Sequence, residues 1–407
     1  MLQGSPGGVR SRLLVVSEFV DSPSAASAAG TRVRALRDFF LGKGWDVQLI
    51  VPMEGIKCEG SALSNGGVLR LRTYETHRQQ LQSPAAALLL PLTLGAYLAA
   101  FRTFHPDVVV ISAYSPFLLV EPLLAARLRG VPVVYDVLDS WILLSAFHPG
   151  RIRNWLKRSI ERFAFSCGNL VVGVTRTQLD LIQERYRLDP GKVALVPRGT
   201  DPPTSPPMDN PPDYDIIHVG PPRDYYDNEG MVDFLARLAS LRPGFRVAFL
   251  GIGEGPEKNR LQKNLAQHGL GPKTDLIPPV PRSEVSRWTA RSRAGLIALT
   301  KNPLYRAAIS TKAYDYIVAR IPILFLGPSD SEQAEFIMKL GIGRVCEGPA
   351  QLAVEANALL SDERALNEIR AHADIAASSL AWSEVLKPLY EKVVTLSRPV
   401  EQRGGAH

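Results

Sequence analysis

Asp107-Val-Val-Val-Ile-Ser-Ala113 and Val131-Pro-Val-Val-Tyr-Asp-Val137 are short, almost wholly apolar stretches that decide the fold class of the N-terminal half. Strands this uniformly apolar are typical of a parallel sheet with helices on both faces. Similar runs recur between longer segments with helical periodicity. We predict strands at 13–18, 45–51, 107–113, 131–137, 169–174 and 193–197. The pattern indicates a parallel α/β domain.

A proline-rich segment separates this half from a second one. Residues 202–212 contain six prolines in eleven positions, a density that neither a helix nor a central strand tolerates. Apolar runs then resume, and we predict strands at 214–219, 245–250, 274–277, 294–299, 322–326 and 343–346. We therefore predict five segments: an α/β domain over 1–200, a linker over 201–213, a second α/β domain over 214–380, a helix over 381–397 that crosses back to the N-terminal domain, and a flexible tail over 398–407.

Composition and charge limit the classes of function. The chain has 407 residues, of which 45% are hydrophobic and 21% charged, as in globular proteins. Residues 1–200 carry 23 Lys and Arg against 15 Asp and Glu, which favours an anionic or lipid-linked acceptor or an acidic membrane surface. No nucleic-acid-binding motif accompanies this charge. The three scattered cysteines, Cys58, Cys167 and Cys346, favour a reducing compartment and disfavour structural zinc.

Two segments raise the question of a membrane. The run 84–101 is almost wholly apolar, but Pro91 and Gly95 interrupt it and it barely reaches spanning length, so we predict a buried or interfacial helix. Residues 151–162 interleave five basic residues with Trp155, Leu156 and two isoleucines. That pattern fits a membrane-surface helix or a solvated helix packed on a sheet. We expect a cytoplasmic protein, with peripheral contact to the inner face of the membrane left open.

Loops at the carboxyl ends of the strands carry the candidate binding residues, because open α/β sheets bind ligands there. Gly220 permits close backbone approach after the first strand of the second half, and Arg223 can contact a diphosphate. Gly251-Ile-Gly253-Glu-Gly255 follows the next strand and lacks the spacing of a dinucleotide-binding motif. Nicotinamide binding is therefore disfavoured.

The segment Ser310-Thr-Lys-Ala-Tyr-Asp-Tyr-Ile-Val-Ala-Arg-Ile-Pro322 predicts a helix that begins at an anion site. Ser310 and Thr311 can cap it, and Lys312 and Asp315 share one face. Free N–H groups and the positive end of the helix dipole attract phosphate, while the carboxylate can accept hydrogen bonds from sugar hydroxyls. An ordinary capped helix with a surface Lys–Asp pair remains the alternative.

The order and spacing of several segments resemble glycosyltransferases of the GT-B fold, particularly family 4, over almost the whole chain. The similar segments begin at Leu13, Gly30, His105, Gly130, Phe249, Pro279 and Asn302. The resemblance implies two doubly wound, Rossmann-like α/β domains facing across a cleft. It also implies a nucleotide sugar held by the second domain, an acceptor held by the first, and a sugar transfer that retains configuration.

The resemblance assigns roles to particular residues. Arg223, Lys312 and Arg306 stabilise the departing diphosphate, Pro279 and Val280 lie near the nucleotide base, and Asp315 holds the ribose hydroxyls. The donor-binding set is completed by Gly220, Gly251, Ser310 and Thr311. Asp139 orients or deprotonates the acceptor hydroxyl, or else caps the helix that follows. We expect acceptor contacts from Gly30, Arg32 and Tyr114.

Some positions depart from the family pattern. Ala307 replaces the first of two glutamates, Leu138 replaces a histidine, and Glu229 lies near the place of a lysine. Asp213-Tyr-Asp215 resembles a metal-binding DxD motif, but it precedes a strand, so we predict neither a metal nor another cofactor. The function predicted is a hexosyltransferase of cell-envelope glycan or secondary-metabolite biosynthesis. The alternatives are an inactive sugar-nucleotide-binding partner protein and a nucleotide-sugar epimerase.

Overall fold

The computed structural model describes residues 10–17, 28–52, 68–71, 90–113, 119–138, 151–201, 212–223 and 226–397. These residues form two compact units. The first contains the described residues up to Arg198 together with those from Val385 onward, and the second contains Gly199–Glu384. Among the described residues, the chain therefore passes between the units after Arg198 and again after Glu384.

The first unit is built on a parallel seven-stranded sheet of order β3-β2-β1-β4-β5-β6-β7. The strands are β1 Arg12–Ser17, β2 Asp46–Pro52, β3 Val68–Leu71, β4 Val108–Ser112, β5 Val133–Val137, β6 Leu170–Gly173 and β7 Val193–Leu195. The helices are α1 Ala28–Gly42, α2 Leu90–Phe104, α3 Val120–Arg129, α4 Arg151–Cys167 and α5 Arg176–Tyr186, with a 3-10 turn at Pro190–Lys192. Buried aliphatic residues of β1, β4 and β5 pack against α2, α3 and α4.

The second unit repeats this design with a parallel six-stranded sheet of order β10-β9-β8-β11-β12-β13. Its strands are β8 Tyr214–Val219, β9 Val247–Leu250, β10 Thr274–Ile277, β11 Ser292–Ala298, β12 Ile323–Leu326 and β13 Gly343–Cys346. Its helices are α6 Asn228–Leu241, α7 Pro256–Gln267, α8 Arg282–Ala290, α9 Thr311–Val318, α10 Glu332–Leu340, α11 Pro349–Ser361 and α12 Glu363–Ser379, and 3-10 turns lie at Gly271–Lys273 and Pro303–Ala307. Separate buried clusters fill the two faces of the sheet.

Two short helices end the described chain. Helix α13 covers Trp382–Val385 and α14 covers Lys387–Ser397. Tyr390 of α14 packs against Phe39, Phe40 and Trp45 of the first unit, with ring centroids 5.9, 5.5 and 6.3 Å away. These aromatic contacts, two edge-to-face and one tilted, hold α14 against α1 and the neighbouring Trp45.

The predicted parallel α/β architecture is confirmed, and each predicted strand is present. Strand β3 was missed because it has four residues, Val-Leu-Arg-Leu, at the edge of its sheet. Within the predicted apolar run, α2 begins at Leu90, with Pro91 in its first turn, where the missing N–H costs nothing. Tyr97 and Phe101 of α2 are buried and Leu92 is exposed, so one face packs on the core. Among the described residues, no helix combines the length and apolarity needed to cross a bilayer.

Candidate functional site

Two glycine-containing loops meet at the carboxyl ends of β8 and β9. Gly220 follows β8 with φ +93°, and Gly251 follows β9 with φ +89°, values that side chains other than hydrogen disfavour. The Gly220 N–H donates to the Leu250 carbonyl at 2.6 Å. A Cβ added to Gly251 would lie 3.4 Å from Gly220 Cα. The loops therefore lie against one another, with little side-chain bulk where a ligand would approach.

Helix α9 begins beside these loops with an uncapped first turn. Ser310 is the N-cap residue, yet its side chain makes no capping hydrogen bond. Its backbone N–H donates instead to Gln333 Oε1 at 2.7 Å. The next two N–H groups, of Thr311 and Lys312, precede the first position at which an α-helix supplies a carbonyl acceptor. This end of α9 therefore offers donors to an anion.

Lys312 lies inside the protein and not on its surface. Its side chain is 6% exposed, and Nζ donates a hydrogen bond to the Tyr226 hydroxyl and lies 4.0 Å from the centroid of the Tyr226 ring. A Cβ added to Gly220 would lie 3.5 Å from Lys312 Nζ. The alternative of a surface Lys–Asp pair is therefore wrong. The structure brings Gly220, Gly251 and Lys312 together, with Tyr226 as a partner that sequence reasoning missed.

Burial changes the protonation of this lysine. Desolvation lowers the pKa of Lys312 to about 7, against an opposing effect of Asp315. His218 lies beneath the same tyrosine, with ring centroids 5.4 Å apart, and burial followed by the charge of Lys312 lowers its pKa well below 6.5. His218 Nδ1 lies 3.2 Å from the Leu296 carbonyl, so Nδ1 carries the proton of a neutral ring. Lys312 is thus the group here whose charge an arriving anion would stabilise.

Asp315 lies one turn further along α9 and has a different partner. It is 9% exposed, and its Oδ1 accepts a hydrogen bond from Arg282 Nη2. Arg282 is the first residue of α8 and directly follows Pro279-Val280-Pro281. Although burial lowers the pKa of Arg282, its bond to Asp315 and the charges of Asp315 and Asp201 raise it. Sequence reasoning missed Arg282; its only signal was its place after the loop expected near the nucleotide base.

The remaining predicted donor residues are less closely gathered. Arg223 and Pro279 are exposed, and Val280 is partly buried against the core. Arg306 pairs with Asp330 at 3.0 Å, and both side chains are exposed. The structure therefore gives Arg306 a carboxylate partner on the surface, and its predicted contact with the diphosphate stays a prediction.

In the first unit, the predicted acceptor residue Arg32 is held in a buried ion pair. Its side chain is 3% exposed; Nε and Nη2 donate to the Asp136 carboxylate at 2.8–3.1 Å, and Nη1 donates to the Pro197 carbonyl at 3.1 Å. Ser112 Oγ donates to the same carboxylate at 2.9 Å. Arg32 thus joins α1 to β5 and to the segment after β7.

Three other residues of this unit were predicted to contact the acceptor or take part in catalysis. Gly30 is buried in α1. Asp139 and Tyr114 lie outside the described residues. Their predicted roles stay predictions.

The DxD sequence has a structural explanation. Asp213 accepts from Arg291 Nε at 2.5 Å, and Asp215 accepts from Arg242 Nε at 3.2 Å. Both carboxylates therefore pair with arginines at the start of β8. In the part of the chain that the structure describes, no group of three or more His, Cys, Asp or Glu side chains could hold a metal ion.

A family model and a curated relative match parts of this chain. Residues 29–203 match the model of Glycosyltransferase Family 4. The chain is 25% identical over 324 residues to D-inositol 3-phosphate glycosyltransferase 1 of Catenulispora acidiphila, which covers 74% of this chain and 75% of that protein.

Solved structures agree in fold. Sucrose-phosphate synthase from Thermosynechococcus elongatus superposes with a TM-score of 0.70 at 14% identity, covering 95% of this chain and 99% of that one. Anabaena HepE in complex with UDP and glucose gives a TM-score of 0.66 at 14% identity, covering 95% and 100%. These likenesses show the GT-B fold. None of the comparisons favours the epimerase or the inactive partner protein.

Proposed function

We propose that this chain, a glycosyltransferase of the GT-B fold, transfers a hexose from a nucleoside diphosphate sugar to an acceptor nucleophile. One observation carries the proposal: a buried lysine at the uncapped start of α9 lies directly beside Gly220. A cation, free N–H groups and a loop without side-chain bulk form the combination that a diphosphate needs.

In this proposal Lys312 stabilises the leaving group. Negative charge grows on the diphosphate as the glycosidic bond breaks, and a fixed cation with a helix dipole is worth most where water is excluded. The uncapped N–H groups of α9 and the exposed guanidinium of Arg223 add donors from neighbouring loops. The cations replace a divalent metal in this role, so we propose a metal-independent reaction.

The nucleoside lies on the Asp315 side of α9. The carboxylate accepts hydrogen bonds from the ribose hydroxyls, and backbone groups at Pro279 and Val280 contact the base. HepE was crystallised with UDP and with UDP-glucose, which makes uridine the first base to test. Retention of configuration and a role for Asp139 toward the acceptor hydroxyl follow from the family resemblance.

The acceptor is proposed to be anionic or lipid-linked, met by a cytoplasmic enzyme that touches the inner face of the membrane. Helix α4 supports this contact: Trp155 is 67% exposed and Leu156 is exposed beside it. Arg158, Arg162 and Arg185 line a cavity of about 480 Å³ next to Trp155. Basic residues around an exposed indole fit a surface of anionic headgroups. Cell-envelope glycan synthesis is the pathway this favours over secondary metabolism.

A donor screen tests the function. Purified protein is incubated with UDP-, GDP- and dTDP-sugars and cell extract, with and without EDTA, and nucleoside diphosphate and sugar are measured. Release of nucleoside diphosphate that survives EDTA is expected. Binding without release would favour a non-catalytic partner protein, and a changed sugar on an intact nucleotide would favour an epimerase.

Vesicle flotation tests the membrane contact. We expect the protein to float with phosphatidylglycerol vesicles and not with phosphatidylcholine vesicles. Trp155→Ala and the double variant Arg162→Ala/Arg185→Ala are expected to stay unbound, while the control Arg176→Ala, an exposed arginine on α5, floats normally. Equal flotation of all variants would contradict the contact through α4.

A further inference from the structure

We propose that Arg282 is a positioning residue that holds the Asp315 carboxylate toward the ribose hydroxyls of the donor and away from Lys312. The inference rests on the proposed function and adds a residue and a task to it. It derives from one contact: Arg282 Nη2 bonds to one oxygen of Asp315 only.

The first step of the inference concerns Oδ2 of Asp315, the oxygen that Arg282 does not bind. Its Oδ1 accepts from Arg282, and Oδ2 has no hydrogen bond to any residue within the described ranges. A carboxylate fixed through one oxygen presents the other in a defined direction. Two neighbouring sugar hydroxyls are suitable donors to this oxygen, because an ionised carboxylate can only accept hydrogen bonds. Orienting the oxygen beforehand reduces the entropy lost on binding.

The second step is the competition that Arg282 prevents. Lys312 and Asp315 lie at i and i+3 on α9, close enough that Asp315 opposes the lowering of the Lys312 pKa. Were the carboxylate to turn toward the ammonium, each group would neutralise the other. The site would then lose its ribose acceptor and its diphosphate cation together. Arg282 supplies a guanidinium that keeps the two groups available to separate parts of one ligand.

The third step is what holds Arg282. The side chain of Arg282 is 29% exposed, and the charges of Asp315 and Asp201 both raise the pKa of Arg282. Asp201 is itself fixed, since Trp382 Nε1 donates to its Oδ1 at 3.1 Å. Arg282 is thus drawn by two carboxylates at once.

Asp201 belongs to a firmly packed segment. The preceding Thr200 donates through its N–H to the Leu380 carbonyl at 2.7 Å and through its hydroxyl to the Ala377 carbonyl at 3.0 Å. Gly199 packs under the Trp382 indole, where a Cβ would come within 2.3 Å of a ring atom. The Asp201 carboxylate, whose charge raises the pKa of Arg282, is therefore held in place by packed neighbours.

Calorimetry on the full-length protein tests the proposal with pyrophosphate, UDP and 2′,3′-dideoxy-UDP. Wild type is expected to prefer UDP over the dideoxy compound by about tenfold, the loss typical of two hydrogen bonds to a charged acceptor. Arg282→Met should reduce this preference by roughly fivefold and weaken pyrophosphate binding as Asp315 turns to Lys312. Arg282→Lys should restore part of the preference. The matched control is Arg287→Met, an exposed arginine on the same helix, which should behave as wild type.

A double-mutant cycle separates positioning from a general loss of structure. In an Asp315→Asn background, Arg282→Met should change the preference for UDP no further, because the oriented group is already gone. Asp201→Asn provides a milder variant that keeps the direct ion pair, and it should lower the preference partially. An Arg282→Met protein that still prefers UDP as strongly as wild type, or effects that simply add, would overturn the inference. Wild type that binds none of UDP, GDP or dTDP would instead overturn the proposed function.

Discussion

The Lys312 ammonium lies 4.0 Å from the centroid of the Tyr226 ring and donates a hydrogen bond to the hydroxyl of that tyrosine. A buried cation without a partner would be costly, and the ring face and hydroxyl supply partial compensation. The compensation is incomplete, because the pKa of Lys312 is still lowered to about 7. The site is therefore poised to gain stability when an anion arrives.

Replacing Lys312 should weaken nucleoside diphosphate binding. Lys312→Met removes the charge but keeps a side chain of similar length, and affinity for UDP should fall by more than about tenfold, or roughly 1.4 kcal/mol. Calorimetry measures the loss. Lys339→Met, an exposed lysine on α10, is the control and should bind as wild type does. Unchanged affinity in Lys312→Met would remove this lysine from the diphosphate site.

Binding should depend on pH above neutrality. Only the charged lysine attracts the diphosphate, so binding raises the pKa of Lys312 from about 7 and takes up a proton. Affinity for UDP should thus be greatest below pH 7 and fall by up to about tenfold per pH unit from pH 7.5 upward, where the phosphate is already fully ionised. Titrations between pH 7.5 and 9.5 check this. A profile that is identical in Lys312→Met would contradict it.

The free energy of unfolding should rise with pH, whereas the affinity for UDP should fall. The folded pKa of Lys312 is about 7, against 10.5 as its ordinary value, so between these values the unfolded chain binds the extra proton. The free energy of unfolding should then rise with pH by up to about 1.4 kcal/mol per unit. Urea denaturation at pH 7 and pH 9 measures the rise. Lys312→Met should lose this increment and be more stable than wild type at pH 7; a variant with the wild-type slope would refute the assignment.

The glycine after β8 should be indispensable. Gly220→Ala places a Cβ at φ +93° and 3.5 Å from Lys312 Nζ, so it should cost roughly 1–2 kcal/mol of stability and weaken UDP binding. Gly253→Ala is the matched control, because Gly253 has no neighbour within 4 Å of its added Cβ and no positive φ. Thermal melts and calorimetry compare the two. Equal behaviour of both variants would show that close approach at Gly220 is unnecessary.

Arg32 should matter for folding before it matters for any acceptor. Arg32→Met leaves the buried Asp136 carboxylate without its guanidinium and should lower the free energy of unfolding by about 3–5 kcal/mol. Arg37→Met on the same helix removes a surface pair with Asp38 and should cost less than about 1 kcal/mol. Urea denaturation of both variants measures the difference. A stable Arg32→Met protein with a raised KM for the acceptor would support the acceptor role instead.

Much of the fold could be read from local pattern. Uniformly apolar runs such as 107–113 and 131–137 predicted buried parallel strands, and the structure confirms them as β4 and β5. This worked because helices on both faces of a sheet require every position of the strand to be apolar. Strand β3 was not predicted, because an edge strand of four residues, one of them arginine, does not need to be apolar at every position.

The site was only partly accessible to the same reasoning. The helix at 311–318, its lysine and its carboxylate were predicted, since helical periodicity is local. Their partners were not: Tyr226 is 86 residues from Lys312, and Arg282 is 33 residues from Asp315. Arg32 was predicted as an acceptor contact. Its ion-pair partner Asp136, which is buried and lies 104 positions further along the chain, was not predicted.

The amino-acid sequence alone determined the two α/β units and the position of the helix that follows Ser310, because runs of apolar residues and helical periodicity are local patterns. Tertiary structure decided which charges are buried and which groups they meet. Desolvation and ion pairing depend on side chains brought together from distant strands and helices, and the lowered pKa of Lys312 and the direction of the Asp315 carboxylate exist only once the second unit has folded.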